Sequence, residues 1–446
     1  MLRGDCNHQT KISSVPFLSL ICYHPIGLCA MASRQPAPKF LLVLPALSLP
    51  TSRASLKAAY KPTFESLLKQ LRDKTGQSGF QLDVGVALSS SYYISPNVSR
   101  GQLFLQIQKL YRDIFTLACV VAAQLHVELD LPGGADIRVF MLEARIDSLP
   151  DDVVGKQSLS GPIIDLHTFV KAGRRYESIY AVEGENAEGV LSSLLQLWRE
   201  EQRTAPRVQR LPRGPAMTQS RPSTSQGEVD GPLNRSIHKS VAVGGTFDHL
   251  HIGHKLLLSA TVLLAEPDSS SPPASTRLIT VGITGDELLV NKKHASFVES
   301  WEERQSRTAA FVESILVFHP DIPSIRKIES MENPGPNGKL VKISYGDELV
   351  IDYVRISDPF GPTITNESIS ALVISKETRS GGKAVNDRRK EKGWQELEVF
   401  EVDVLDQGMA DNESEEHEDK ETFEGKISST EIRRKMRERS GHANGA

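Results

Sequence analysis

The chain has 446 residues, of which 39% are hydrophobic, so it is long enough for two domains with sizeable cores. Its net charge of −4 gives no bulk electrostatic reason to expect a nucleic-acid or membrane partner. No stretch approaches the roughly 20 apolar residues of a membrane span, and only Cys119 of the four cysteines lies in a predicted core, so we expect a soluble cytoplasmic protein without a disulfide framework.

The first 36 residues carry no pattern of a folded domain. Residues 14–25 come nearest to a signal peptide, but they contain two prolines and a histidine. Translation from Met31 would remove this segment, whereas a cleaved targeting peptide would leave mitochondrial association open. We expect residues 1–36 to be disordered, to precede the true start, or to act in targeting.

An α/β domain is predicted for residues 37–202, and no chemical motif in it indicates a role. Its strand-like apolar runs cover 40–44, 82–88, 137–141 and 178–182, and its helical segments cover 102–125 and 189–202. Residues 203–237 are rich in Pro, Ser, Arg, Gln and Gly, and this composition predicts a disordered linker. The acidic block at 410–424 predicts a disordered insertion for the same reason.

The segment 238–440 alternates strand and helix patterns as a parallel sheet requires. Its strands are predicted at 241–243, 278–283, 350–356, 371–374 and 398–402, and its helices at 253–265, 299–318, 383–392 and from 429 onward. This order predicts a Rossmann-like doubly wound sheet. Ligands of such sheets bind beyond the carboxyl ends of the strands, so we expect four loops, at 244–254, 284–293, 357–363 and 375–382, to converge on one crevice.

The first of these loops has the features of a nucleotide phosphate site. Gly244 and Gly245 end an apolar strand, and the lack of a Cβ lets their backbone approach a polyphosphate. His251 and His254 lie on one face of the first turn of the next helix, where free N–H groups favour anions. Neither G-x-G-x-x-G nor a P-loop is present, and we interpret residues 335–340 as a turn.

The pattern G-G-T-F-D-x-x-H-x-G-H at 244–254 resembles the HxGH nucleotidyltransferase superfamily. Blocks at 358–363, at 372–382 with Asn386 and Arg389, and at 426–433 with its Ile-Ser-Ser-Thr resemble the eukaryotic-type phosphopantetheine adenylyltransferases. The resemblance implies transfer of AMP from ATP to 4′-phosphopantetheine, which gives dephospho-coenzyme A and pyrophosphate, with Mg²⁺ carried by ATP. It leaves association with other enzymes of coenzyme A biosynthesis open.

The resemblance also implies roles for single residues. His254 and Lys292 are the implied catalytic residues: His254 contacts the α-phosphate, and Lys292, with Lys293 as the alternative, bridges it to the acceptor phosphate. Thr246 matches the position that orients 4′-phosphopantetheine, and 358–363 matches the segment along its arm. The implied ATP-binding positions are Gly244, Gly245, Phe247, His251, Gly253, Arg379, Ser428, Ser429 and Thr430.

Other interpretations remain open at this point. His249, His251 and His254 could ligate a metal, although structural zinc sites normally use a fourth ligand. Arg433 and Arg437 either assist at the phosphates or form a solvated helix face. The chain could also be an HxGH transferase that acts on nicotinamide mononucleotide or uses a cytidylyl donor, or a regulatory subunit that binds a nucleotide without turnover.

Overall fold

Two β-sheets, one in each half of the chain, organise the fold. The computed structural model describes residues 37–45, 52–88, 100–131, 133–143, 161–215, 237–267, 275–403, 405 and 428–443. The predictions for residues 1–36 and 410–424 therefore lie outside the described residues. None of the helices in the described segments combines the length and the hydropathy that crossing a bilayer requires.

The sheet of the N-terminal half has six parallel strands in the order β4-β3-β2-β1-β5-β6. Its strands are β1 (Lys39–Pro45), β2 (Phe80–Leu88), β3 (Ala135–Glu143), β4 (Ile163–Asp165), β5 (Ser178–Val182) and β6 (Arg207–Leu211), and its helices are α1 (Arg53–Thr75), α2 (Arg100–Gln124), α3 (Leu166–Lys171) and α4 (Glu185–Glu200). The predicted α/β class and its four strands are confirmed. Helix α1 was not predicted, because Pro62 lies in the helix interior, where proline normally ends a helix.

The linker prediction is wrong for the residues of β6. This strand pairs in parallel with β5 and forms the outer edge of the sheet, with Val208 opposite Ile179. An edge strand needs little apolar surface and is protected by charged side chains. Only Leu211 of β6 is buried, so its composition resembled that of a linker.

The sheet of the C-terminal half has seven strands in the order β13-β12-β7-β8-β11-β10-β9. Its strands are β7 (Ser240–Gly245), β8 (Arg277–Thr284), β9 (Arg326–Met331), β10 (Leu340–Tyr345), β11 (Leu349–Ile356), β12 (Ala371–Ser375) and β13 (Glu398–Val402). Its helices are α5 (Ile252–Leu264), α6 (Trp301–Leu316), α7 (Ile322–Ile325), α8 (Arg379–Glu391) and α9 (Ser429–Ala443). The five predicted strands are confirmed. Strands β9 and β10, which make the sheet mixed, were not predicted. The segment 335–340 lies in the turn that joins them and ends at the first residue of β10.

The parallel part of this sheet has the strand order of a Rossmann-like fold. β7 lies between β8 and β12, with Val243 opposite both Val281 and Val373. After β7 the chain first adds β8 and β11 on one side and later adds β12 and β13 on the other side. The boundary between the two sides of the sheet is a topological switch point. Val241 and Val243 join one core cluster and Ala242 another, so helices pack on both faces of the sheet.

The two halves share one hydrophobic core, which corrects the prediction of a separate N-terminal domain. α2 packs against α5, and the buried core cluster is continuous from one sheet to the other. The rings of Phe104 and Phe400 meet edge to face with centroids 5.0 Å apart. Arg112 Nη1 lies 2.6 Å from the Asp403 carboxylate. The apolar outer surface of α5 requires such a cover.

Candidate active site

A cavity of about 420 Å³ lies at the switch point of the C-terminal sheet. All four loops that were predicted to converge contribute to its wall, so that prediction is confirmed. The polar and glycine positions of the wall include Gly244, Gly245, Thr246, Thr284, Ser357, Asp358, Thr363, Thr378, Gly381 and Gly382. Leu288, Ile356, Pro359, Phe360 and Pro362 give the same cavity an apolar side.

Two glycines shape the turn that leaves β7. A Cβ on Gly245 would lie 3.0 Å from the ring of Phe247, a tight contact that a side chain could make only if the ring moved by a few tenths of an ångström. A Cβ on Gly244 would meet no atom within 4 Å. Phe247 is fully buried in a left-handed backbone conformation, with φ of 51°. The turn therefore brings open backbone at Gly244 to the cavity and anchors itself through Phe247.

His251 and His254 lie at the start of α5, and each has one ring nitrogen that forms no hydrogen bond within the described residues. His251 is the N-cap residue, and its side chain does not cap the helix. The rings of His251 and His254 stack with centroids 3.8 Å apart. Nδ1 of each ring is buried and has no hydrogen-bond partner in the described part of the chain. Gly253, between them, is partly exposed. Uncapped N–H groups and unpartnered imidazole nitrogens together suit an anionic ligand.

Both histidines are neutral at pH 7. Burial lowers the pKa of His254 to about 4, although the Asp248 carboxylate opposes this shift. Burial, together with the neighbouring His254, lowers the pKa of His251 well below its ordinary value. A neutral imidazole still donates one hydrogen bond, so the pair can bind phosphate oxygens without carrying charge.

These low pKa values predict that the free energy of unfolding falls as the pH falls from about 6.5 to about 4. In this window the unfolded chain binds protons that the folded protein does not, and His254 alone accounts for about 3 kcal/mol. Urea unfolding between pH 4.5 and 7 should show a shallower slope for His254→Asn than for the wild type. Equal slopes in the two proteins would contradict the prediction.

The start of α9 docks directly on the turn between β7 and α5. Ser429 Oγ donates a 2.8 Å hydrogen bond to the carbonyl of Asp248. Arg433 forms a buried ion pair with the Asp248 carboxylate. It also donates to the carbonyl of Lys293 at 3.0 Å and to Thr430 Oγ1 at 3.1 Å. Two segments that lie far apart in sequence thus meet at one place.

The hydroxyl groups of this helix start do not act as simple caps. Ser429 and Thr430 are engaged by Asp248 and Arg433, while the carbonyl of Ser428 accepts the backbone N–H groups of Glu431 and Ile432. Arg433 is buried, and Arg437 is exposed. Of the two interpretations for these arginines, the solvated face fits only Arg437.

A second set of buried groups fixes the same turn from the side of α6. Asp248 Oδ1 accepts the backbone N–H of Glu299 at 2.9 Å, and Glu299 Oε2 accepts that of His249 at the same distance. Arg304, which is fully buried, donates to the carbonyls of Thr246 at 2.7 Å and Glu299 at 3.0 Å. Arg304 and Glu299 were not predicted as site residues, because their partners Thr246 and Asp248 lie 58 and 51 residues away in sequence.

Lys292 and Lys293 are exposed and do not line the cavity. Neither forms an ion pair with any carboxylate in the described segments. The bridging role of Lys292 therefore stays a prediction that depends on movement of an exposed side chain. Lys293 already contributes its carbonyl to Arg433.

Three other predicted residues have partners inside the protein. Arg379 forms two 2.6 Å hydrogen bonds with the Glu401 carboxylate, so it reaches a phosphate only after this exposed pair opens. Asn386 pairs its side-chain amide with the backbone of Leu397. Arg389 is buried and donates to five backbone carbonyls, which include Thr363 at 2.7 Å. Arg389 thereby holds Thr363, a residue of the cavity wall, in place, which is consistent with the predicted role of shaping the site.

No group of three or more His, Cys, Asp or Glu side chains in the described segments could hold a metal ion. His249 instead places Nε2 2.6 Å from the carbonyl of Phe297. His249 is thus engaged by a backbone carbonyl, and the described residues give no support to the alternative in which His249, His251 and His254 ligate a metal.

Comparison with known proteins finds one family model and several similar proteins. Residues 31–217 match a family described as a domain of unknown function, DUF8446. Over 210 residues the chain is 35% identical to the phosphopantetheine adenylyltransferase of Saccharomyces cerevisiae, a match that covers 47% of this chain and 52% of that protein.

Two further relatives differ in the share of their own length that is matched. An uncharacterized protein of Schizosaccharomyces pombe is 32% identical over 44% of this chain and 47% of its own length. The phosphopantetheine adenylyltransferase of Thermococcus kodakarensis is 26% identical over 40% of this chain and 82% of its own length. The chain thus spans about half the length of the relatives from S. cerevisiae and S. pombe.

Proposed function

We propose that the C-terminal half of this protein is a nucleotidyltransferase that moves AMP from ATP to 4′-phosphopantetheine. The observation that carries the proposal is the docking of α9 on the histidine turn, through Ser429 and Arg433 on Asp248. It brings Ser428–Thr430 and the His-x-Gly-His segment to one site. The names of the relatives from S. cerevisiae and T. kodakarensis support the same reaction.

In the proposed reaction an oxygen of the acceptor phosphate attacks the α-phosphorus of ATP. The bond from the α-phosphorus to the bridging oxygen of the β-phosphate breaks, and pyrophosphate leaves. No covalent nucleophile on the protein is required, so positioning and stabilisation of charge provide the catalysis. Neutral His254 donates a hydrogen bond to the α-phosphate as negative charge develops there.

The neighbouring groups divide the remaining contacts. His251, the free N–H groups of α5 around Gly253, and the Ser428–Thr430 segment hold the β- and γ-phosphates. Thr246 orients the acceptor phosphate, and Lys292 bridges the two reacting phosphates. Mg²⁺ arrives with ATP and is coordinated mainly by phosphate oxygens and water, because it needs few protein ligands.

The cavity wall favours a pantetheine acceptor over a second nucleoside. Gly244, Gly245 and Thr246 give the wall polar groups next to the histidine turn in sequence, and Leu288 and Phe360 give it apolar surface. A phosphate joined to an extended, weakly polar arm matches this division. A nicotinamide mononucleotide acceptor would place a ribose and a charged ring against the apolar side, at a desolvation cost.

Release of pyrophosphate by the purified full chain tests the proposal. With ATP, Mg²⁺ and 4′-phosphopantetheine we expect turnover, and with nicotinamide mononucleotide as the acceptor or CTP as the donor we expect little. Turnover only with one of the latter would overturn the assigned substrates. ATP binding without turnover on any acceptor would point to a regulatory subunit.

Gly244→Val is expected to impair substrate binding without a loss of stability. The new side chain would project into the cavity and meet no protein atom within 4 Å of its Cβ. We expect KM for at least one substrate to rise by on the order of tenfold, while the free energy of unfolding stays within about 0.5 kcal/mol of the wild type.

The matched control for this variant is Gly189→Val on α4, where the added Cβ also meets no atom within 4 Å. Steady-state kinetics and urea unfolding of both variants separate the two effects. Unchanged kinetics for Gly244→Val would mean that the substrates do not use this cavity.

A further inference from the structure

The helix that carries the histidine pair is enclosed by the rest of the protein. Ten of the thirteen residues of α5 are buried, and they occur on all sides of the helix. One face packs on the C-terminal sheet, and the N-terminal half covers another through α2 and β3. The position of α5 therefore depends on both halves of the chain.

Lys255 is the charged residue on this enclosed helix, and it directly follows His254. Its side chain is only 3% exposed. The ammonium forms an ion pair with Asp130, lies 2.5 Å from Asp136 Oδ1 and donates to the carbonyl of Ile137 at 3.2 Å. These three acceptors match the three N–H donors of a lysine, and all three belong to the N-terminal half.

The carboxylates keep the buried ammonium charged. Burial alone would lower the pKa of Lys255, but Asp130 and Asp136 together raise it above its ordinary value. Asp136 is held in turn by Arg138, with Nη2 2.6 Å from Oδ2. A buried charge that is compensated in this way resists movement, because separation of the partners would leave uncompensated charge in the protein interior.

The turn that presents these carboxylates has a constrained backbone. Asp130 adopts the left-handed conformation, with φ of 61°, and its N–H donates to the carbonyl of Ala135 at 3.1 Å. A Cβ on Gly134 would lie 2.6 Å from the carbonyl of Glu128. Glu128 also lies 3.5 Å from Arg439 of α9. One turn of the N-terminal half thus contacts both helices of the proposed nucleotide site.

Rotation of α5 about its own axis would displace the histidines directly. For an imidazole atom roughly 6 Å from the helix axis, a rotation of about 10° is a movement of about 1 Å. A misplacement of about 1 Å can lower a rate by on the order of a hundredfold. Lys255 lies in the same helical turn as both histidines, so its ion pairs with Asp130 and Asp136 restrain the rotation of the turn that carries the two imidazoles.

We propose that Lys255 is a positioning residue, and that the N-terminal half, through Asp130 and Asp136, fixes the rotation of α5 and so sets the position of His251 and His254. This gives the segment that matches a domain of unknown function a role as part of the transferase site. The inference rests on the proposed function.

The test compares Asp130→Asn with Asp403→Asn in the full-length protein. Asp130→Asn keeps the shape of the side chain and weakens the tether of Lys255. Asp403→Asn weakens another ion pair between the two halves, the one with Arg112. Both variants are expected to lower Tm. Only Asp130→Asn is expected to lower kcat, by about tenfold or more, with a smaller change in KM for ATP.

The assays are run well below Tm, and kcat is expressed per ATP-binding site, so loss of folded protein does not lower it. Wild-type kcat in Asp130→Asn, alongside a lowered Tm, would overturn the inference and leave only a structural role. Asp136→Asn provides the same comparison if Asp130→Asn does not fold. An inactive wild-type protein would instead refute the proposed function. Failure of the proposed function is therefore distinguishable from failure of the positioning role of Lys255.

Discussion

His254→Ala is expected to lower kcat for adenylyl transfer about a thousandfold, the size of effect seen when one donor to a developing negative charge is removed. His254 has an unpartnered Nδ1 at the uncapped start of α5, beside the stacked ring of His251. A donor in this position can stabilise charge that develops on the α-phosphate. Pyrophosphate release under saturating ATP and 4′-phosphopantetheine measures the loss.

The same substitution should cost little stability, and this distinguishes catalysis from folding. His254 Nδ1 has no hydrogen-bond partner in the described residues, so removal of the imidazole breaks no hydrogen bond at that atom. The substitution does remove the ring contacts with His251 and Phe247. We expect ATP binding by calorimetry to remain measurable. His167→Ala, which removes a partly exposed imidazole from α3, should retain wild-type kcat. Loss of ATP binding together with unfolding of His254→Ala would argue against a catalytic role.

Arg433→Met is expected to lower the free energy of unfolding by about 3–5 kcal/mol, as for a buried ion pair that loses one partner. The Arg433 side chain is 3% exposed and its partner Asp248 is fully buried, so the variant leaves a buried carboxylate without its ion-pair partner. It also releases the carbonyl of Lys293 and the hydroxyl of Thr430. The Ser428–Thr430 segment should then leave the histidine turn, and transferase activity should fall with it.

Urea unfolding with a double-mutant cycle checks this prediction. Asp248→Asn/Arg433→Met should be less destabilised than the sum of the two single variants, because it strands no charge. Arg437→Met, one turn further along α9 and exposed, should unfold like the wild type. Additive effects of the two single variants would show that the pair does not couple α9 to the turn.

Local sequence patterns predicted most of the C-terminal half. β7 and α5 occur within a few residues of their predicted bounds, because an apolar run, a glycine turn and helical spacing are properties of neighbouring residues. The convergence of four loops on one cavity followed from the parallel strand order. One signal was overlooked: the helix after His254 is apolar on all sides, which already indicated a cover from elsewhere in the chain.

The partners of single charged side chains could not be predicted from the sequence. Arg379 pairs with Glu401, Arg389 binds backbone carbonyls, and Arg433 turned out to be buried. An arginine in a motif looks the same whether it faces a ligand, a carboxylate or a carbonyl. The partner of an arginine is the acceptor that the fold brings within about 3 Å of its guanidinium. The spacing of residues in the sequence does not specify that distance.

The sequence by itself determined the α/β class of both halves, the strand that ends in Gly244 and Gly245, and the helix that starts at the histidine pair. Only the tertiary structure decided that Arg433 meets Asp248 across 185 residues and that Lys255 meets Asp136 across 119. The physical reason is the range of the forces involved. Backbone preferences and hydrophobic periodicity act between near neighbours, whereas a buried ion pair forms only where the folded chain excludes water around both partners.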